Sequence, residues 1–275
     1  MDMLKEKISG DLRLFYNNTV VNWHEHVWEN PIGECFRSDL DLLVRGARKY
    51  GMDILVCSTP ETGDPHCPLE TMRRKNDILF GEMQRYPELI RGLCFVNPGA
   101  DGCLDEIDRC IRRLGMVGIK MYHQYFIDDE VQYPVMEKCI ELDIPVLVHA
   151  GKLTFQPESQ PRISSGEHFA AIARRYPELN IIMAHLTGGG DWDWQLKPIV
   201  PFKNIMIDIS GSVIDSHCIE KAVSLLGAER ILFGTDGSVC SGVGKLLAAK
   251  ISDEDKKTIL SGKRYMRFLT RGRGK

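Results

Sequence analysis

The chain has 275 residues, of which 43% are hydrophobic and 27% are charged; this composition is typical of a folded globular protein and excludes a disordered one. No apolar run reaches the roughly 20 residues of a membrane-spanning helix, and the charged N-terminus is unlike a signal peptide. The net charge of −3 excludes a general attraction to nucleic acid. We therefore expect a cytoplasmic protein that acts on a small-molecule substrate, without nucleic acid or a membrane as a partner.

The distribution of the cysteines and the basic residues near the C-terminus lead to two further predictions. The nine cysteines are scattered without a CxxC pair, which argues against a disulfide framework and against a cysteine zinc site. Residues 263–275 carry six basic side chains and no acidic one. Such a segment is typical of a solvated tail, but it leaves open a contact with a neighbouring subunit in a homo-oligomer.

Short apolar runs that end in turn residues predict eight buried strands. They are residues 19–23, 53–58, 92–96, 118–121, 145–148, 181–184, 205–209 and 231–234. The segments between them have helical apolar spacing, as over residues 38–50, over residues 131–142 and in a last helix that begins near Ser252. One helix between successive strands is the repeat of a parallel sheet, so we expect a single domain over residues 1–275.

The repeat of strand and helix predicts an α/β protein with the fold of a (β/α)8 TIM barrel. The alternative is an open, doubly wound sheet, which would carry a glycine-rich phosphate turn after its first strand. The first strand leads instead into the sequence Asn22-Trp23-His24-Glu25-His26. We therefore prefer the barrel.

Polar side chains follow the predicted strands at their C-terminal ends, where barrel enzymes carry their chemistry. They are His24 and His26 after strand one, Lys120, Tyr122 and His123 after strand four, His149 after strand five, His185 after strand six and Asp236 after strand eight. His24 and His26 are two residues apart, so both imidazoles share a face of an extended strand. Closure of a barrel brings strand eight beside strand one, and the Asp236 carboxylate can then approach both.

Three imidazoles and a carboxylate predict a site for one divalent metal, with His24, His26, His149 and Asp236 as ligands. Zinc suits these donors best, and manganese or iron are alternatives. Such a metal lowers the pKa of a bound water towards neutrality. Asp236 alone, within Thr235-Asp236-Gly237, would be interpreted as a turn residue.

Five segments, in order along the chain, resemble the amidohydrolase superfamily in the branch called amidohydrolase family 2. They are NWHEH at 22–26, GIKMYHQY at 118–125, IPVLVHAG at 144–151, NIIMAHLTGGG at 180–190 and ILFGTDGS at 231–238. The resemblance implies a mononuclear metal site at the four residues above. It also implies that His185 is a catalytic acid, base or polarising group, and that Glu25 points into the barrel wall without a catalytic role.

The chain also departs from the pattern of this branch. Tyr122 stands where a histidine is usual. In binuclear relatives a carboxylated lysine from this strand bridges two metals, and Lys120 leaves that alternative open. Arg162, in the loop after strand five, is the best-placed candidate to hold a substrate carboxylate. Loops 59–68 and 152–165 are the predicted pocket walls.

Two enzyme functions fit such a site. In a metal-dependent hydrolase, activated water attacks an ester, lactone or amide, Asp236 accepts the proton, and His185 polarises the carbonyl or moves protons. In a non-oxidative decarboxylase, the metal orients a small aromatic or unsaturated carboxylic acid while an acid protonates the carbon that loses carbon dioxide. We prefer the hydrolase. A metal-free lactonase and an inactive binding or assembly barrel are further alternatives.

Overall fold

Eight parallel strands form the barrel wall, and each strand pairs with the next one along the chain. The computed structural model describes residues 12–151, 160–186, 188, 191–211 and 215–270. The strands are β1 (Val21–His26), β2 (Ile54–Ser58), β3 (Ile90–Phe95), β4 (Gly118–Met121), β5 (Pro145–Val148), β6 (Asn180–Met183), β7 (Ile205–Asp208) and β8 (Ile231–Leu232). This architecture confirms the predicted (β/α)8 TIM barrel.

Helices follow the strands around the outside of the barrel. They are α1 (Arg37–Lys49), α2 (Leu69–Arg85), α3 (Cys103–Asp108), α4 (Tyr133–Leu142), α5 (Gly166–Arg175), α6 (Trp192–Ile199), α7 (Cys218–Leu226), α8 (Val239–Ala248), α9 (Asp253–Ser261) and α10 (Met266–Leu269). A π-helical turn, Arg109–Arg113, continues α3, and 3₁₀ turns lie at Glu130–Gln132, Ala228–Arg230 and Lys263–Tyr265. None of the described helices is long and apolar enough to cross a membrane.

The interior of the barrel is filled at its N-terminal end by apolar side chains. Trp23 from β1 packs edge-on against Tyr265, with ring centroids 5.8 Å apart, and Phe268 of α10 packs against Tyr265. The C-terminal segment therefore closes the bottom of the barrel and leaves the C-terminal mouth for polar residues. A second, larger apolar cluster lies between the strands and the surrounding helices.

A bulge in β1 turns the histidines towards the interior. The register between β1 and β2 shifts between Asn22 and Glu25. Because of this shift, Trp23 and His24 both face inwards although they are consecutive, and simple alternation would have turned one of them outwards. β1 also continues to His26, three residues beyond its predicted end. The two histidines are thus part of a buried, extended strand, as their spacing predicted.

Backbone hydrogen bonds close the barrel between β8 and β1. The amide of Trp23 donates to the carbonyl of Phe233 over 2.8 Å, and the amide of Asp236 donates to the carbonyl of His24 over 2.8 Å. The second bond fixes the backbone of Asp236 directly beside the first histidine. All nine cysteines lie in the described residues and are free thiols, eight of them buried.

Candidate metal centre

Four of the predicted site residues meet at the mouth of the barrel. One ligand atom each from His24, His185 and Asp236 lies within 4.8 Å of the others. Nε2 of His26 is 2.8 Å from Oδ1 of Asp236, and Nε2 of His24 is 3.7 Å from the same oxygen. The imidazole nitrogens of β1 and a carboxylate oxygen thus face a common point. Imidazole nitrogen with carboxylate oxygen is a donor set that suits divalent first-row metals.

His149, at the end of β5, lies beside His185. Its Nδ1 is 2.9 Å from Nε2 of His185, and its Nε2 is 3.2 Å from Oε1 of Gln160. His185 is the imidazole next to the carboxylate, with Nδ1 3.7 Å from Oδ2 of Asp236. All five predicted residues therefore reach the same mouth, but the tightest cluster contains His185 in the place where the sequence predicted His149.

The backbone holds two of these groups in an uncommon conformation. His185 has a φ of 64° and Asp236 a φ of 48°, both in the left-handed region that residues other than glycine rarely adopt. Hydrogen bonds hold both turns: the amide of Asp236 to His24, described above, and the amide of His185 to Oδ1 of Asp208 over 3.2 Å. Such strain clusters at functional sites, because the surrounding structure must maintain it.

Lys120 lies at the centre of the site. It is fully buried, and its Nζ is 2.8 Å from Nε2 of His24. Burial lowers the pKa of Lys120 to about 8, although the carboxylates of Asp236 and Asp208 oppose this shift. An ammonium group only donates, so Nε2 of His24 carries a lone pair and is the candidate ligand atom.

Burial also sets the charges of the other groups. It lowers the pKa of His185 to about 3 and lowers that of His24, where the charge of Lys120 adds to the effect. Burial alone would raise the pKa of Asp236, but His24, His185 and His26 hold it well below its ordinary value. At neutral pH the site therefore presents neutral His24 and His185 imidazoles and an ionised Asp236 carboxylate, and neutral imidazole and ionised carboxylate are the protonation states that metal ligands require.

Asp208 is a site residue that the sequence did not reveal. It ends β7, is fully buried, and its Oδ2 is 2.9 Å from Nδ1 of His24. Burial alone would raise the pKa of this carboxyl, but His24 and Ser210 hold it well below its ordinary range. The signal that could have identified it is an acid inside the apolar run of residues 205–209.

The remaining candidates lie around the mouth. The ring of Tyr122 packs against His149 with centroids 4.4 Å apart, and that of His123 packs against Tyr122 at 4.5 Å. Arg162 is half exposed and pairs with Asp129 over 3.2 Å, so its guanidinium already has an acidic partner. Residues 152–159 of the predicted pocket wall lie outside the described residues.

Glu25 lies in the wall between β1 and β8. One oxygen accepts from the amide of Asn22 over 3.0 Å and from the hydroxyl of Thr235, and the other accepts from the backbone of Gly237 over 2.9 Å. These contacts fasten the residues on both sides of Asp236 to the first strand. Glu25 is thus a structural clamp behind the metal centre.

We predict that Glu25→Ala lowers the free energy of unfolding by roughly 2–4 kcal/mol, because it leaves several buried donors without an acceptor. Urea denaturation followed by circular dichroism measures this. Glu254→Ala is the matched control, since the Glu254 side chain is 82% exposed. The control should stay within about 0.5 kcal/mol of the parent. Equal stability of the two variants would contradict the clamp.

Comparison with known proteins places the chain in a family. The Amidohydro_2 model, described as amidohydrolase, matches residues 65–262, more than half of the chain. The chain belongs to the amidohydrolase family. The matched region contains His149, His185 and Asp236, whereas β1 with its two histidines precedes it.

Two curated proteins resemble the chain over most of its length. One is a 2-keto-4-carboxy-3-hexenedioate hydratase from Sphingobium sp., 22% identical, with 80% of this chain and 79% of that protein covered. The other is a 2-amino-3-carboxymuconate-6-semialdehyde decarboxylase from Dictyostelium discoideum, 23% identical, with 82% and 75% covered. The family and these relatives identify the chain as an enzyme.

Solved structures share the barrel. A 2,6-dihydroxybenzoate decarboxylase from Rhizobium has a TM-score of 0.72 at 19% identity, with 93% of this chain and 100% of that chain covered. A 5-carboxyvanillate decarboxylase from Novosphingobium aromaticivorans, with bound manganese, has a TM-score of 0.70 at 16% identity, with 92% and 98% covered. At such low identity these structures support the fold alone.

Proposed function

We propose that the protein is a metal-dependent, non-oxidative decarboxylase of a small aromatic or unsaturated carboxylic acid. The observation that carries the proposal is the convergence of His24, His185 and Asp236 within 4.8 Å. From the sequence we preferred a hydrolase. The relatives described above are named as a decarboxylase and a hydratase, and the solved neighbours as decarboxylases. They favour the alternative, so the decarboxylase now comes first.

The metal in this proposal is held by His24, His26, His149 and Asp236. The lone pair on Nε2 of His24, the ionised carboxylate and the neutral imidazoles fit a divalent cation. Zinc fits these donors, and the manganese in the neighbouring decarboxylase makes that ion an equal candidate. When bound, the metal would orient and polarise the carboxylate of the substrate.

The proton chemistry falls to Asp236 and His185. When the substrate's carbon–carboxylate bond breaks, carbon dioxide leaves and its bonding electron pair stays on the substrate carbon. One proton must then reach that carbon. Asp236 is the better-placed donor, because its side chain is 30% exposed at the mouth while His185 is buried behind it. Asp236 is ionised in the resting site, so it must first take a proton from water at the exposed mouth. We infer that it then delivers this proton to the carbon and that His185, next to it, polarises the carboxyl group.

The test is an assay of products from metal-loaded protein. A panel of ortho-hydroxybenzoates and conjugated carboxylates would be assayed for released carbon dioxide, and a panel of esters and lactones for released acid. We expect carbon dioxide from at least one carboxylate and no ester turnover. Turnover of an ester or lactone without carbon dioxide would return the function to a hydrolase. Loss of conjugated absorbance without carbon dioxide would indicate a hydratase.

We predict that protein purified without chelator contains about one equivalent of a first-row metal per chain, because the donor set is complete. Elemental analysis measures this content. Protein treated with a chelator is the control, and it should lose both metal and activity. Less than about a tenth of an equivalent, with activity unaffected by chelators, would contradict a metal site.

A further inference from the structure

The Asp208 carboxylate receives four hydrogen-bond donors at the end of β7. Oδ2 faces Nδ1 of His24 at 2.9 Å. Oδ1 accepts from the amide of Ser210 over 2.9 Å, from the amide of His185 over 3.2 Å and from the Ser210 hydroxyl. The side chain is fully buried. An ionised carboxylate only accepts, and all four groups must therefore donate to it.

This geometry sets the tautomer of His24. Because Asp208 can only accept, Nδ1 of His24 must carry the proton, and Nε2 is left with the lone pair. Lys120, which can only donate, contacts Nε2 over 2.8 Å and requires the same tautomer. Asp208 and Lys120, which come from different strands, thus both require the Nδ1-protonated tautomer of His24. A histidine ligates a metal only through an unprotonated nitrogen, and Asp208 keeps that nitrogen directed into the mouth.

The same carboxylate reaches the second functional histidine. The Ser210 hydroxyl donates to Asp208, and its oxygen can accept from Nδ1 of His185, 2.8 Å away; the same oxygen lies 3.3 Å from Nδ1 of His24. Nε2 of His185 also lies 2.9 Å from Nδ1 of His149, so the two rings are in direct contact. Asp208 also holds the amide of His185 in its left-handed conformation. One buried acid therefore connects the rings of His24, His185 and His149.

We propose that Asp208 is a positioning residue that fixes the His24 tautomer for metal binding and, through Ser210, the ring orientation of His185. The effect on metal binding rests on the proposed function, whereas the His24 tautomer can be measured in metal-free protein. Asp208 does not touch the substrate in this scheme. Its effect on the reaction passes through the two imidazoles.

The first experiment is nitrogen NMR of metal-free, 15N-histidine-labelled protein. His24 resonances are assigned by their loss in His24→Ala. We expect Nδ1 of His24 to be protonated and Nε2 to be unprotonated in the parent. In Asp208→Asn the amide offers one acceptor oxygen, which cannot serve both His24 and the Ser210 and His185 amides. Lys120 then remains as the group that favours a lone pair on Nε2, so we expect the population of the Nδ1-protonated tautomer of His24 to fall below that in the parent.

The second experiment is metal affinity, measured by competition with a chromogenic chelator using Mn²⁺ and Zn²⁺. Asp208→Asn should weaken binding by about 10–100-fold, as loss of a partner to a ligating histidine does elsewhere. Ser210→Ala is the matched variant, because it removes the link to His185 and the longer, 3.3 Å contact with Nδ1 of His24, and it keeps the 2.9 Å contact of Asp208 with that nitrogen. It should bind metal within about threefold of the parent while kcat falls with little change in KM.

The outcomes are separable from those of the proposed function. A parent protein whose His24 is protonated on Nε2 would overturn the inference, whatever its variants do. Equal metal affinity of Asp208→Asn and the parent would overturn it too. If the protein decarboxylates none of the tested acids, the proposed function fails, yet the tautomer and affinity measurements still decide the role of Asp208. If Asp208→Asn does not fold, the parent spectrum and Ser210→Ala decide it.

Discussion

Asp236→Asn is expected to lower kcat by at least about a hundredfold in fully metallated protein, because general acid–base catalysis contributes ~10²–10⁴ in rate. The carboxylate has two roles in the proposed site. As a ligand it is one of four donors, and an amide oxygen can still coordinate weakly. As a proton carrier it has no substitute, since an amide is neither an effective acid nor an effective base near neutral pH. Activity should therefore fall much further than metal binding.

The measurement is kcat at saturating metal, with metal content determined on the same samples, so that the two roles are not confounded. Asp253→Asn is the matched control, because Asp253 is an exposed residue in the first turn of α9. It should leave kcat and metal content unchanged. If metallated Asp236→Asn stayed within about threefold of the parent on its true substrate, Asp236 would not carry the proton, and the mechanism proposed for decarboxylation would fail.

The fold was accessible from the sequence because burial patterns are local. Every predicted strand overlaps an observed one, and β4 and β5 match residue for residue. Buried parallel strands are short apolar runs between turn residues, and such runs need no knowledge of the partner strand. Ser252 was likewise visible as the start of the last long helix, and its hydroxyl accepts from the amide of Asp255 at the N-terminus of α9.

The end of β1 was not accessible in the same way. The predicted apolar run stopped at Trp23 because the next three residues, His24, Glu25 and His26, are polar, although the two histidines were expected to share a face of an extended strand. They are buried in the strand because their partners come from distant parts of the chain. The bulge that turns His24 inwards depends on pairing with β2, and a single segment does not encode it.

The same contrast applies to the metal centre. His24, His26, His185 and Asp236 could be predicted because polar residues at the ends of barrel strands share one mouth. Asp208 was not predicted, because it ends an apolar strand and its role depends on which imidazole reaches it from 184 residues away. The contact between His149 and His185 likewise depends on the tertiary fold and could not be predicted from local sequence. The order of the strands predicted that both histidines lie at the mouth. It did not predict which of them lies next to the Asp236 carboxylate.

His24→Ala and His26→Ala are each expected to abolish metal retention and, with it, activity. Each removes one imidazole nitrogen facing Oδ1 of Asp236, at 3.7 Å and 2.8 Å in the parent. The barrel should persist, because the apolar layer of Trp23 and Tyr265 lies below the site. His24→Ala also leaves the buried Asp208 without one donor, so we expect it to be less stable than His26→Ala by about 1–3 kcal/mol.

Metal content after dialysis, circular dichroism and thermal unfolding would be measured on both variants, with His185→Asn beside them. His185 handles protons or polarises in the proposed scheme, so His185→Asn should keep nearly all of its metal and lose activity. His149→Ala, which removes a proposed ligand, should lose metal. If His185→Asn lost metal while His149→Ala kept it, His185, which lies beside Asp236, would be the metal ligand in place of His149. A His24→Ala or His26→Ala protein unfolded at room temperature would mean that these histidines are structural, since a metal site at the mouth of a packed barrel is dispensable for folding.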